Sequence, residues 1–263
     1  MSYIEDYISN KRKSNEKVLS VFLTAGFPNK NTFVDLALKV LDSGADLIEI
    51  GFPFSDPLAD GAVIQHSSQI AIENGINLKE TLNFVRDIRK NTDKPLILMG
   101  YANPVLSYGI NEFANDAKSA GVNGVIIPDV PIEEYDNFFN GNFEGLDTIL
   151  LITPTTSNER IKVIDTKSNG FLYCVSVSGT TGVNQNVKAA SLDFIKRANM
   201  IVKENNMLVG FGISNKSDAK AFAPYCQGII VGSAIIKSLM NDDSTFSNTL
   251  ELVSELKQAL LST

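Results

Sequence analysis

The chain has 263 residues, of which 44% are hydrophobic and 20% are charged, so it is long enough to bury a large core. Its net charge of −7 argues against binding to nucleic acid or to an anionic membrane surface, since both need clustered Lys and Arg. No apolar stretch approaches the length of a membrane span, and the polar first segment, MSYIEDYISNKRKSNEKV, has no signal-peptide core.

Short β-rich runs recur along the chain. Each run is almost entirely apolar rather than alternating, which is typical of parallel strands that are covered on both faces. Eight such runs are present, at residues 18–25, 46–51, 95–100, 123–129, 147–153, 170–177, 206–212 and 227–232.

Helix-like segments fill the gaps between these runs. The segment 31–44, for example, begins with Asn31, a candidate N-cap, and ends at Gly44, a candidate for the glycine that follows a helix. Strand followed by helix, repeated eight times without a Pro/Gly/Ser-rich linker, predicts a single (β/α)8 TIM-barrel domain over residues 1–263. We expect extra helices at the N-terminal and C-terminal ends. The alternative is an open doubly wound sheet, but TAGFPNKN after the first run lacks a glycine-rich phosphate turn.

The segment IEIGFPFSDPLADG, residues 48–61, places a charged residue within a strand that reads as buried. Burial raises the pKa of a carboxyl group, so Glu49 is suited to giving and taking protons near neutral pH. The alternative is that Glu49 pairs with a cation from a neighbouring strand, although no run supplies an obvious one. Asp60 lies in a more polar loop and is expected to stay ionised. Two carboxylates in contrasting surroundings are typical of an acid/base and an anionic stabiliser.

Glycines follow the last two strand runs, in GFGIS (210–214) and VGSAI (231–235). A glycine lets an anion approach the backbone closely, and the start of a helix favours negative charge. The loops after the seventh and eighth strands of a TIM barrel commonly hold a phosphate. The sequence therefore predicts a phosphate site around Gly210, Gly212, Gly232 and Ser233, the alternative being that the glycines only form tight turns.

The chain offers no obvious metal site. Its single histidine, His66, cannot form a multi-histidine site, and we expect it on the surface or on a helix face. Cys174 and Cys226 lie far apart in apolar contexts and match no metal-binding spacing. We therefore expect buried, reduced thiols in a cytoplasmic protein.

Seven segments, in order along almost the whole chain, resemble the tryptophan synthase alpha chain family. They are LTAGFP (23–28), DLIEIGFPFSDPLADGAVIQ (46–65), YANPV (101–105), GVIIPDVP (124–131), SGTTG (178–182), GFGIS and VGSAI. The resemblance implies a lyase of tryptophan biosynthesis that cleaves indole-3-glycerol phosphate to indole and glyceraldehyde 3-phosphate. It implies that Glu49 protonates C3 of the indole and helps to deprotonate the glycerol hydroxyl. Asp60 would bond to the indole N–H and stabilise the developing positive charge.

The resemblance implies further substrate contacts. Tyr173 would lie near the glycerol, and Thr181 would belong to a mobile loop that closes over Asp60. The implied indole pocket is lined by Phe22, Met99, Tyr101 and Ile152. The implied phosphate cradle consists of Gly182, Gly212, Gly232 and Ser233.

The resemblance also implies a partner protein, a beta chain that carries pyridoxal phosphate, in an α2β2 heterotetramer. This chain itself would hold no cofactor. The residues implied to meet the beta chain are Pro53, Asp56, Asn103 and Pro104. Two other functions stay open: a stand-alone indole-3-glycerol-phosphate lyase that needs no beta chain, and a non-catalytic barrel that binds a phosphate ligand and regulates a partner. The presence of both Glu49 and Asp60 argues against the second.

Overall fold

The computed structural model describes residues 2–139, 141–176, 185–210 and 212–261, in which strands alternate with helices. The strands are β1 Val18–Thr24, β2 Leu47–Gly51, β3 Leu96–Met99, β4 Gly124–Ile126, β5 Asp147–Thr148, β6 Leu151–Ile152, β7 Leu172–Val175, β8 Met207–Gly210 and β9 Gly228–Val231. The helices are α1 Tyr3–Lys13, α2 Phe33–Asp42, α3 Ala62–Glu73, α4 Leu78–Arg89, α5 Ala102–Tyr108, α6 Ile110–Ala120, α7 Tyr135–Phe138, α8 Asn158–Lys167, α9 Gln185–Ile201, α10 Lys216–Phe222, α11 Ser233–Met240 and α12 Ser247–Leu261. Short 3₁₀ helices span Ile132–Glu134, Gly141–Phe143 and Ala223–Tyr225.

The strands form one parallel sheet in the order β5-β4-β3-β2-β1-β9-β8-β7-β6. Both ends of this order belong to the single run 147–152, which pairs with β4 on one side and with β7 on the other. The sheet therefore closes into a barrel, and the predicted TIM-barrel fold is confirmed. The predicted fifth strand is divided into β5 and β6, while the other seven runs each form one strand.

Two apolar layers fill the molecule. The larger layer lies between the strands and the surrounding helices, and a smaller cluster occupies the interior of the barrel. Ile4 and Ile8 of α1 belong to the inner cluster, and Ile4 packs against Gly124, the first residue of β4. The first helix thus covers the end of the barrel where the strands begin, which leaves the opposite end for a binding site.

A polar residue stands at or just before the start of the second, fourth, sixth and eighth strand runs. Its side chain makes the same kind of contact in all four places. Each accepts a hydrogen bond from a backbone N–H of the neighbouring run. The pairs are Asp46 with Leu19 at 2.9 Å, Asn123 with Leu96 at 3.0 Å, Asn169 with Thr148 at 3.0 Å, and Gln227 with Met207 at 2.7 Å. These four bonds fix the alignment of neighbouring strands at the end that lies away from the cavity described below.

The expected boundaries of α2 are half correct. Gly44 follows the C-cap Ser43 with a φ of 122°, a conformation that favours glycine. The expected N-cap, Asn31, is wrong, because its N–H bonds to Oδ1 of Asn29 within the preceding turn. Thr32 takes the N-cap position and makes no side-chain cap bond.

The structure also places the single histidine and the two cysteines. His66 lies on the exposed face of α3, as expected. Cys174 and Cys226 are buried, unbridged thiols, and burial raises the pKa of the Cys226 thiol to about 11. Within the described ranges, no helix combines the length and the apolar character that a membrane crossing requires.

Candidate active site

Glu49 is fully buried in β2, opposite Phe22 of β1. Its Oε1 accepts a 2.7 Å hydrogen bond from the Ser20 hydroxyl, whereas its Oε2 has no hydrogen-bond partner among the described residues. Burial raises the pKa of Glu49 from its ordinary 4.5 to about 7, and the bond from Ser20 opposes part of this rise. No described residue forms an ion pair with Glu49, so the alternative of a paired glutamate is not supported there.

Asp60 lies in the loop between β2 and α3 and is partly buried. Burial raises its pKa to about 6, and the hydroxyl of Tyr101 beside it has the opposite effect. Partial burial in this loop thus perturbs a carboxyl group that was expected to stay ionised. Asp60 remains a stronger acid than Glu49, so near neutral pH it is mostly ionised while Glu49 is about half protonated.

Both carboxylates line one cavity at the end of the barrel where the strands finish. Six other residues named from the sequence line the same cavity: Phe22, Met99, Tyr173, Gly212, Gly232 and Ser233. The remaining lining residues are Gly61, Ile64, Ile213 and Ile230. The cavity therefore combines an apolar wall, two carboxylates and a glycine-rich side.

Tyr173 of β7 is a buried residue of this cavity. Burial raises the pKa of its hydroxyl, and the charges of Glu49 and Asp60 raise it further, so the hydroxyl stays neutral. A Cβ atom at Gly210 of β8 would lie 2.4 Å from this hydroxyl. The glycine in β8 is thus what leaves room for Tyr173.

The glycine-rich side of the cavity coincides with the start of α11. Gly232 is the N-cap of this helix and has no side chain to bond the first backbone N–H groups. Gly212, after β8, has a φ of 74°, which side chains other than glycine rarely adopt. This combination of an uncapped helix start and an open backbone suits a bound phosphate.

Tyr101 lies in a second cavity that adjoins the first and shares with it Phe22, Asp60, Ile64 and Met99. The Tyr101 hydroxyl accepts a 3.1 Å hydrogen bond from the N–H of Ala59, next to Asp60. Its ring lies 5.6 Å from that of Phe54. Tyr101 therefore holds the loop that carries Asp60.

One implied pocket residue, Ile152, does not reach the cavity. In the ladder between β6 and β7, Leu151 lies beside Tyr173 and Ile152 beside Cys174. Tyr173 belongs to the inner cluster, whereas Cys174 and Ile152 pack in the outer layer against the helices. Leu151, not Ile152, thus faces the barrel interior. Thr181 and Gly182 lie outside the described residues.

The residues implied to meet a partner lie on two adjacent segments, the loop 52–61 and the start of α5. Asp56 and Asn103 are exposed and Pro104 is partly exposed, whereas Pro53 is buried. Leu58, in the same loop, is 93% exposed, a large value for an apolar side chain.

Four residues at or beside the cavity were not expected from the sequence: Ile64, Ile213, Ile230 and Ser20. The first two lie within quoted segments, four residues after Asp60 and one after Gly212, so their proximity to these residues could have indicated them. Ile230 and Ser20 lie inside strands whose uniform burial gives no alternation to show which side chains face inward. Within the described ranges, no cluster of three or more potential metal ligands is present.

Comparison with known proteins agrees with this site. A sequence model of the family described as tryptophan synthase alpha chain matches residues 8–261. The tryptophan synthase alpha chain of Flavobacterium psychrophilum is 42% identical over 251 residues, covering 95% of this chain and 98% of that protein. The one from Geotalea uraniireducens is 45% identical over 241 residues, covering 90% of this chain and 89% of that protein. Tryptophan synthase subunit alpha from Legionella pneumophila has a crystal structure with a TM-score of 0.88 at 34% identity, covering 100% of both chains.

These similarities extend over nearly the whole length of the proteins compared, and they agree with the barrel and with the cavity that its strand ends form. The chain therefore belongs to the tryptophan synthase alpha chain family, the lyases that cleave indole-3-glycerol phosphate in the biosynthesis of tryptophan.

Proposed function

We propose that Glu49 is the proton donor and acceptor of this cleavage and that Asp60 stabilises the charge that develops on the indole nitrogen. The observation that best supports this assignment is the state of Glu49. It is buried, it lines the cavity, and its Oε2 has no described partner. Because its pKa is raised to about 7, the side chain can both hold and release a proton at neutral pH.

The proposed reaction has two proton transfers. The proton on Oε2 of Glu49 passes to C3 of the indole ring, and the ring nitrogen takes up the positive charge beside the carboxylate of Asp60. The Glu49 carboxylate then removes the proton of the hydroxyl on the adjacent glycerol carbon. The electron pair of that O–H bond forms the aldehyde C=O, and the pair from the broken C–C bond returns to the ring. Indole and glyceraldehyde 3-phosphate are released, and Glu49 is protonated again.

The cavity suggests how the substrate lies. Phe22 and Met99 offer an apolar wall for the indole, with Tyr101 behind them in the adjoining cavity. The start of α11 and Gly212 offer backbone groups for the phosphate. Tyr173 lies in the same cavity and would contact the glycerol between them. Thr181 and Gly182, outside the described residues, are proposed to complete the phosphate side and the cover over Asp60.

Membership of the family implies a beta-chain partner. We place that contact on the loop 52–61 and the start of α5, where Asp56, Asn103 and the apolar Leu58 are exposed. The same loop carries Asp60, so a partner seated there could change the activity of the site. We further propose an α2β2 assembly in which pyridoxal phosphate belongs to the beta chain and this chain holds no cofactor of its own.

The test is the release of indole from indole-3-glycerol phosphate by wild type, Glu49→Gln and Asp60→Asn, each with and without a beta chain. Loss of a general acid/base typically costs about 10²-fold to 10⁴-fold in rate, and we expect a loss of that size for Glu49→Gln in both settings. The matched control is Glu73→Gln on the exposed side of α3, which should match wild type.

The same experiment separates the two other functions. A wild-type turnover of about 10 per second without a beta chain, unchanged when it is added, would favour a stand-alone lyase. Substrate binding without any indole release in either setting would favour a regulatory barrel and would contradict the roles proposed for Glu49 and Asp60.

A further inference from the structure

Strand β1 contains two polar residues, Ser20 in its middle and Thr24 at its end. Ser20 is fully buried, and its side chain lies two residues before Phe22, on the face of the strand that points toward the cavity. A buried hydroxyl needs a hydrogen-bond partner, and a hydrophobic residue in its place would need none. The partner of Ser20 is Oε1 of Glu49, at 2.7 Å.

This bond makes the two oxygens of Glu49 unequal. A hydroxyl has a single proton to donate, and Ser20 donates it to Oε1. An oxygen that accepts such a bond is less basic, so a proton added to the carboxylate binds to the other oxygen. That other oxygen is Oε2, which has no partner in the described part of the chain.

We infer that Ser20 is a positioning residue of the reaction, which anchors Oε1 of Glu49 and thereby keeps the transferable proton on Oε2. The inference rests on the acid/base role proposed above for Glu49. In the protonated state Oε2 carries the proton that goes to the indole carbon. In the ionised state the same atom is free to accept the proton of the glycerol hydroxyl. One oxygen can therefore serve both transfers without rotation of the carboxyl group.

The other groups near Glu49 do not fill this role. Tyr173, on β7, lines the same cavity and has a neutral hydroxyl, which is able to donate. In the described part of the chain, however, Oε2 accepts no bond, and the bond to Oε1 comes from Ser20. Asp60, from the loop before α3, is an acceptor when ionised and has no proton to give. Among the groups that influence the pKa of Glu49, Ser20 is the hydrogen-bond donor.

The test compares Ser20→Ala and Ser20→Thr with wild type in the complex with a beta chain, from pH 5 to 9. Cleavage begins from protonated Glu49, so the rate falls as pH rises through the pKa of this group. The bond from Ser20 favours the ionised form, so its removal in Ser20→Ala should move this alkaline limb to higher pH. We expect a shift of about half a pH unit or more and a fall in kcat of about 10-fold at little change in KM. Ser20→Thr retains the hydroxyl and should restore both values.

Thr249→Val serves as the matched control, because it removes another fully buried hydroxyl, which bonds to Ser238 at 2.8 Å between α12 and α11. It should lower the melting temperature but leave the pH profile unchanged. A wild-type pH profile and kcat in Ser20→Ala, with only a lower melting temperature, would overturn the inference. Should Glu49→Gln retain full activity, the proposed function itself would fail, and the two failures are therefore distinguishable.

Discussion

Gly51 leaves the space that the ring of Phe22 occupies: a Cβ atom at residue 51 would lie 2.4 Å from Cζ of Phe22. The two residues belong to neighbouring strands, β2 and β1, and Phe22 lines the cavity. The shape of the proposed indole wall thus depends on a missing side chain one strand away.

We expect Gly51→Ala to push the Phe22 ring into the cavity, because real Cβ atoms do not approach other atoms this closely. KM for indole-3-glycerol phosphate should rise about 10-fold or more, while substrate-independent properties such as circular dichroism stay close to wild type. Gly141→Ala is the control, since a Cβ atom there meets nothing within 4 Å. An unchanged KM in Gly51→Ala would contradict a role of Phe22 in shaping the pocket.

Glu49 should make the protein less stable as pH rises. Its pKa is about 7 in the folded state and 4.5 when unperturbed, so the folded state binds the proton more tightly. The free energy of unfolding therefore falls between these pH values, by about 3 kcal/mol in total. Glu49→Gln removes this dependence. We expect its stability relative to wild type to increase by an amount of this order from pH 4.5 to pH 8.

Urea unfolding of both proteins at the two pH values measures the difference. Because only the change with pH is compared, any fixed cost of packing the glutamine cancels. Glu73→Gln, at an exposed position of α3, should show no such change. A constant difference between Glu49→Gln and wild type would mean that the pKa of Glu49 is not raised in the folded chain.

Asp46 connects the first and last helices to the start of the barrel. This buried carboxylate lies 2.6 Å from Nζ of Lys257 in α12 and 3.5 Å from Nζ of Lys11 in α1. Asp46→Asn would leave the largely buried Lys257 cation without its closest counter-charge, which typically costs about 3 kcal/mol or more. We expect a lower denaturant midpoint with an unchanged specific activity, because the cavity lies at the other end of the barrel.

The exposed ion pair between Asp35 and Lys39, at 2.9 Å, provides the comparison. Asp35→Asn should change the free energy of unfolding by less than about 1 kcal/mol. Equal effects of the two substitutions would show that the contacts of Asp46 add nothing beyond those of a surface pair.

Asp56 should matter only when a partner is present. Its side chain is exposed in the loop that also carries Asp60, so we expect Asp56→Ala to leave the activity of the isolated chain intact. Activation by a beta chain should weaken, measured as the beta-chain concentration needed for half-maximal indole release. Asp87→Ala, an exposed carboxylate on α4, is the control. An equal loss with and without the beta chain would instead place Asp56 in the catalytic machinery.

Much of this architecture could be predicted from the sequence. The apolar runs predict the strands, and in a TIM barrel the site lies at the end where the strands finish. Glu49 was identifiable because a charged residue in a buried run needs a chemical reason. The run 147–153 shows where such prediction fails. Residues 149–152 are all apolar, so the sequence gives no alternation to show that Leu151 faces inward and Ile152 outward.

Ser20 was missed for a related reason. A serine in a strand is compatible with many surroundings, and its significance lies in one contact with a residue 29 positions away. The rise in the pKa of Asp60 was not evident from the sequence either, because it comes from burial of the loop, which contacts the distant Tyr101. Contacts between distant segments determine both properties, and composition alone does not reveal them.

The four side chains that bond to neighbouring strands at the start of the barrel have a consequence for how the fold is assembled. Their partners lie only 27, 27, 21 and 20 residues away along the chain. A contact between nearby residues costs less loop-closure entropy and forms faster than one between distant residues. Each of these four pairs of neighbouring strands therefore has its own hydrogen bond that aligns the two strands. The chain can set its register unit by unit, before the run 147–152 joins the first half to the second.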